Sequence, residues 1–161
     1  MGPSGSAILL TIAAIAVGTW FYFKAPSSVG SEQLQMYAGY ESPMEVVSLA
    51  MCEPPGCAAI YLTPTIGKTS MEALPGAVAL ADELRRQGVT CYLVIGEEPI
   101  ADAVKRARTL HRQIVIDPGG EWAKSSGIEK APAWLAWRSG GKIVLWSGGA
   151  VSPVDVASAL R

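Results

Sequence analysis

Sulfur offers this chain its most obvious chemistry. The 161 residues include three cysteines and a single histidine. Cys52 and Cys57 bracket Glu53-Pro54-Pro55-Gly56, a turn-forming stretch. Two thiols at that spacing close a small-loop disulfide where the compartment is oxidising, or remain separate thiols with Cys57 entering a strand. Cys91 sits within the apolar run Val89–Ile95 and reads as a small buried hydrophobe, because a reactive thiol needs an exposed, electropositive setting. His111 falls at the far end of a helical pattern and reads as a solvent-facing or last-turn residue rather than a general base. The spacing of these four residues matches no zinc pattern, and neither a metal nor a cofactor is expected.

Phosphate chemistry is the second possibility. Gly67-Lys68-Thr69 has the end of a P-loop, but the pattern G-x-x-x-x-G-K-[ST] needs a glycine where Leu62 stands. No nucleotide is expected; a bare helix N-terminus beside Lys68 would at most attract a small anion. A formal net charge of −1, without long runs of either sign, gives no footprint for nucleic acid.

The elements that must position these residues emerge from periodicity. Ala58–Leu62 and Val89–Ile95 read as buried strands, and Ile114–Ile116 as a third that stops at Asp117-Pro118-Gly119-Gly120. Leu74, Val78, Ala81 and Leu84 recur at helical spacing in a helix from about Ser70 to Gln87, kinked by Pro75 and closed by Gly88. Pro99–His111 is a basic amphipathic helix with Ile100, Ala103, Val104, Ala107 and Leu110 on its apolar face. Ala133–Trp137 and Ile143–Trp146 flank a glycine-bearing loop as a hairpin. Trp134, Trp137 and Trp146 alternate there and cannot all face inward, so at least one is a surface contact candidate. Ser152-Pro153-Val154-Asp155 opens a C-terminal helix with a capping-box variant. Glu32–Ala50 is expected to hold a short helix from about Ser42, with Pro43 at its first position. Strands and helices alternating into a hairpin describe a three-layer α/β/α domain.

From Ile114 onward the order is a short helix, Gly127-Ile128, Ala131-Pro132, a strand, a glycine hairpin, a strand and a capped helix. That order resembles the second half of a thioredoxin-like domain. The run Tyr61-Leu62-Thr63-Pro64-Thr65 is similar to the segment before the dithiol in the membrane-anchored MauD/TlpA-like branch of that superfamily. The resemblance spans about Cys57 to Arg161. It implies a cis Ala131-Pro132 bond facing a loop that carries Cys-x-x-Cys at a helix N-terminus, where the dipole lowers a thiol pKa. Here the loop reads Ile66-Gly67-Lys68-Thr69-Ser70. Ile66 and Thr69 stand where the cysteines would be, or Gly67 and Ser70 when the helix proline Pro75 sets the register. Hydroxyls do not replace a thiolate without a nearby base.

The expected role is therefore a redox-inactive binding or assembly module, an accessory subunit of a membrane-bound redox or electron-transfer complex. It would grip a protein segment between Ile66–Ser70 and Ala131-Pro132, with Lys68 and Trp134 as further contacts. The alternative is a thiol–disulfide oxidoreductase that matures a periplasmic redox protein through Cys52 and Cys57, or through Cys91 alone.

Ala7–Phe23 is uncharged and strongly apolar, and as a helix it would span roughly 25 Å. Met1–Ser6 holds no Lys or Arg, unlike a signal peptide. Trp20-Phe21-Tyr22-Phe23 and then Lys24 fit the interfacial end of a single membrane anchor. The organisation expected is an anchor over 1–24, a linker and short helix over 25–56, and the thioredoxin-like domain over 57–161. Lys24 alone favours a cytoplasmic side for the domain C-terminal to it. The resemblance implies instead a bacterial inner-membrane protein with a periplasmic domain, and that reading is adopted.

Overall fold

In the computed structural model, which describes residues 27–40 and 42–161, the strand Cys57–Leu62 (β3) lies inside the sheet with all six residues buried. A strand covered on both faces must be apolar on both, which is why Cys-Ala-Ala-Ile-Tyr-Leu does not alternate. Thr90–Gly96 (β4) pairs with it in parallel and Ala133–Trp137 (β6) antiparallel. Beyond β4 lie Ile114–Asp117 (β5), Gln33–Tyr37 (β1) and Glu45–Ser48 (β2); beyond β6 lies Ile143–Ser147 (β7). The sheet order is β2-β1-β5-β4-β3-β6-β7.

Lys68–Arg86 (α1) links β3 to β4 and buries Leu74, Ala77, Leu80, Ala81 and Leu84 against the sheet. Ile100–Leu110 (α2) buries Ala103, Val104 and Ala107 and stops at His111, whose φ of 52° ends the helix. Together with Pro153–Ala159 (α4), these helices cover one face, closing over Ile60, Leu62, Leu93 and Ile95. The opposite face is covered by Glu121–Ser125 (α3) and by crossing segments around Val29 and Leu49, which close over Ala59, Tyr61 and Val94. This is the three-layer arrangement expected. The capping box at Ser152 is formed in both directions, Ser152 accepting from the Asp155 N–H and Asp155 from the Ser152 N–H.

The helix expected from Ser42 is absent. Strand β2 takes its place, preceded by β1, and the Met44 N–H closes the turn onto the Met36 carbonyl at 2.7 Å. The reason is pairing. The free edge of β5 leaves backbone donors and acceptors without partners; β1 fills them, and β2 in turn pairs with the outer edge of β1. Gln33–Tyr37 carries the signal, with Leu34 and Met36 buried between exposed glutamines, whereas Pro43 suggests only a local start. The anchor proposed at Ala7–Phe23 lies outside the described residues. Among those described, no helix is long and apolar enough to cross a membrane.

Candidate functional site

The residues singled out from the sequence gather at two opposite ends of one strand pair. Cys57 faces Trp137 and Tyr61 faces Ala133 in the β3–β6 ladder. Pro132 therefore sits about five residues along from Cys57, roughly 16 Å at the usual strand rise.

At the Pro132 end the Ala131-Pro132 bond is cis, as the resemblance implied, and Pro132 is buried. The loop leaving β3 is held by its own hydrogen bonds. Thr63 accepts at its carbonyl from the Gly67 N–H at 2.9 Å, and its N–H donates to the Ser70 hydroxyl at 3.0 Å. Thr65 donates from Oγ1 to Glu98 at 2.8 Å. The Glu98 side chain is 0 % exposed, and Arg106 of α2 grips it through Nη2 at 2.5 Å and Nε at 3.2 Å. A buried carboxylate demands such a partner, since an unpaired charge inside the protein is costly. The loop is thus fixed while Ile66 projects from it, 66 % exposed. Lys68 begins α1 in solvent, 3.7 Å from Glu72.

Beside this loop lies a cavity of about 360 Å³, lined among others by Tyr61, Thr63, Ile66, Glu97, Lys130 and Ala131. Burial first, then the Asp117 and Glu97 carboxylates, raise the Tyr61 phenol well above its ordinary pKa, so it remains a hydrogen-bond donor. Gly96 lets this ring pass, because a Cβ there would stand 1.8 Å from the Tyr61 oxygen. Asp117, also buried, accepts from the N–H groups of Trp122 and Ala123 and so fixes the start of α3.

The other end holds the sulfur. Cys52 and Cys57 form a disulfide, closing one of the two alternatives left open by their spacing. Both cysteines are buried, while Glu53, Pro54 and Pro55 between them are exposed, and the Pro54-Pro55 bond is also cis. The Trp137 indole N–H donates to the Leu49 carbonyl at 2.8 Å and ties the incoming segment to β6. The expectation of a domain without a dithiol is thereby corrected. A cysteine pair is present, at the head of β3, although Thr63–Ser70 itself contains no sulfur. Cys91 is buried in β4, and burial pushes its thiol up to about 12, which removes it as a nucleophile near neutral pH.

Of the proposed contact residues, Ile66, Lys68 and Ala131 reach the surface of the Pro132 end. Trp134 does not: it is buried against α1 and α4 with the rest of that core, and the exposed tryptophan of the hairpin is Trp146, 48 % accessible. The register explains this, since Trp134 and Trp146 project to opposite faces of the sheet. Sequence reasoning does not find Glu98 and Arg106. Their eight-residue separation gives a faint hint, but the burial of Glu98 depends on Thr65 arriving from another element.

Comparison with known proteins agrees with this geometry. No family model matches the chain, and no curated protein sequence does. Solved structures do. A thio-disulfide isomerase from Thermus thermophilus superposes with a TM-score of 0.63 at 17% identity, covering 84% of this chain and 93% of its own. The exposed lipoprotein thioredoxin of Streptococcus pneumoniae gives 0.60 at 15%, covering 80% and 98%. A secreted disulfide oxidoreductase of Mycobacterium tuberculosis gives 0.58 at 12%, covering 81% and 94%. The fold is thioredoxin-like. At these identities the likeness carries the architecture and leaves the activity to be argued from the site.

Proposed function

We propose that this chain is a thiol–disulfide oxidoreductase of the anchored MauD/TlpA-like kind whose redox couple is Cys52–Cys57. The observation that carries the reading is the disulfide closed at the head of the central strand of a thioredoxin-like sheet. A substrate thiolate attacks the Cys52 sulfur, the less buried of the two. The Cys52–Cys57 bond breaks, Cys57 leaves as a thiolate and takes up a proton, and a mixed disulfide joins the substrate to Cys52. A second substrate thiolate then displaces Cys52. The substrate dithiol is oxidised by two electrons and the protein pair is reduced. The anchor at Ala7–Phe23 would hold this domain on the periplasmic face of a bacterial inner membrane, where disulfides persist.

The test is oxidation of a reduced dithiol peptide by the full chain, with thiols counted before and after. Two thiols per chain should appear as the peptide is oxidised. Cys52→Ser and Cys57→Ser should abolish the reaction and Cys91→Ser should leave it unchanged. An intact, folded protein that exchanges nothing would make the disulfide a structural staple.

A second reading is favoured by a separate observation: the surface facing cis-Pro132 presents Ile66 and an open cavity where sulfur would stand. In that reading this end binds an extended segment of a protein partner, a component of a membrane redox complex, by backbone pairing and apolar contact.

A further inference from the structure

The described chain enters the fold at the end that carries the disulfide. Ser28 bridges Lys142; the Val29 N–H donates to the Gly141 carbonyl at 2.9 Å, and the Ile143 N–H to the Ser27 carbonyl at 3.0 Å. Only Lys24, Ala25 and Pro26 separate this pairing from the apolar run that ends at Phe23. Four residue steps reach at most about 14 Å. The loop joining β6 and β7 is therefore the part of the domain leashed closest to the end of that run.

That loop has the chemistry of a lipid-surface contact. Arg138 and Lys142 are exposed on it and close it through the Arg138 N–H to the Lys142 carbonyl at 3.0 Å. Exposed Arg161 comes after Leu160, whose side chain packs at Gly56 beside the Trp137 carbonyl, at the same end. Ala50 packs at Gly141, and the next residue, Met51, is the most exposed large hydrophobic side chain of the described residues at 83 %. Glu53 is the acid of the neighbouring disulfide loop. At the opposite end the exposed charges around the Pro132 cavity balance, Glu97 and Glu129 against Lys124 and Lys130, with exposed Lys68 nearby at the start of α1. Basic side chains beside a protruding apolar one suit an anionic bilayer surface, and the charge-balanced opposite end gains no such attraction.

We infer that the Arg138–Lys142 loop, with Met51 and Arg161, rests on anionic lipid headgroups, so that the tethered domain stands with its disulfide end toward the bilayer and its cis-Pro132 end facing away. This inference rests on the proposed anchor at Ala7–Phe23, and it sets which end of the molecule meets a large partner unhindered. Each basic side chain near such a surface is worth roughly a fivefold shift in the orientational balance.

The test uses the full chain reconstituted into vesicles of phosphatidylcholine, with or without phosphatidylglycerol. A fluorophore is placed at Ser139→Cys or at Lys130→Cys; the other cysteines are a disulfide and a buried thiol. Lipids carrying an energy acceptor should quench the Ser139→Cys label more than the Lys130→Cys label, and the contrast should grow with phosphatidylglycerol. Arg138→Glu with Lys142→Glu should shrink that growth by about an order of magnitude or more, two side chains at the fivefold each, while the protein still floats with the vesicles. Equal or reversed quenching on protein that floats overturns the orientation alone. Failure to float overturns the anchor and the orientation with it.

Discussion

At its first residue β3 is fastened by a covalent bond to a neighbouring loop; past its last residue it runs into a loop fastened by hydrogen bonds and one buried ion pair. The covalent end keeps its sulfur under cover and exposes a proline turn. The polar end buries its charges, Glu98 and Asp117, and exposes Ile66. A disulfide needs no desolvation of charge, so it sits in an apolar shell without further partners. A buried carboxylate must be surrounded by donors, and those donors fix the loop around it. One end is thus held by a covalent bond in an apolar shell and the other by a network of donors around buried carboxylates.

The largest effect should come from the polar end. Arg106→Ala leaves the Glu98 carboxylate inside the protein without its cation, and should cost about 3–5 kcal/mol in chemical denaturation. Glu98→Gln combined with Arg106→Met should recover much of that loss, because neither charge is then stranded. A loss below about 1 kcal/mol for Arg106→Ala would show that the pair does not hold the loop. The covalent end should respond less. Cys52→Ser with Cys57→Ser opens a loop of sequence separation 5 and should cost about 2 kcal/mol by the chain-entropy relation. The same variant removes exchange activity if the redox reading holds, so stability and activity separate the two roles of one bond.

The contrast between the ends also explains how much the sequence discloses. The second half of the fold is readable because its signals are local: Ala131-Pro132, the glycine hairpin and the Ser152 cap each lie within a few residues of what they determine. The Cys52–Cys57 pairing is visible as a possibility, since five residues and a proline turn bring two sulfurs within reach. The features that escape a sequence reading depend on distant partners. β1 and β2 exist because β5 needs an edge partner more than 60 residues further along, with Tyr37 opposite Ile114. Trp134 is a surface candidate and Trp146 undecided until the register of β6 against β7 says which face each takes. Glu98 has no mark of its own in the sequence; its role depends on Thr65 and Arg106 converging on it.

A smaller effect belongs to the C-terminal cap, whose hydrogen bonds join Ser152 and Asp155 alone, and which serves as a reference. Ser152→Ala removes the hydroxyl that accepts from the Asp155 N–H and should cost about 1 kcal/mol. The Ser152 backbone and side chain lower the Asp155 pKa from its ordinary 3.8. A depressed folded value means that this contribution is complete above about pH 4 and fades as pH falls through the folded pKa. The difference between wild type and Asp155→Asn in an acid titration should therefore narrow below that value. A difference that widened toward low pH would contradict the capping assignment.

The smallest change in stability should accompany the change that most sharpens the comparison. Ile66 is 66 % exposed, so Ile66→Asp should alter folding by no more than about 0.5 kcal/mol. If the Pro132 end receives a partner segment, the same substitution places a charge at the centre of the contact and should weaken capture by about 2 kcal/mol, near thirtyfold. Thr65→Val provides the control for shape: it deletes the hydroxyl that reaches Glu98 while keeping the size of the side chain and leaving Ile66 in place. Weaker binding in both variants would mean that the loop works as a rigid platform. Weaker binding in Ile66→Asp alone would mean that the apolar tip suffices. If neither variant affects capture while Cys52→Ser abolishes it, recognition as well as exchange belongs to the sulfur end of β3.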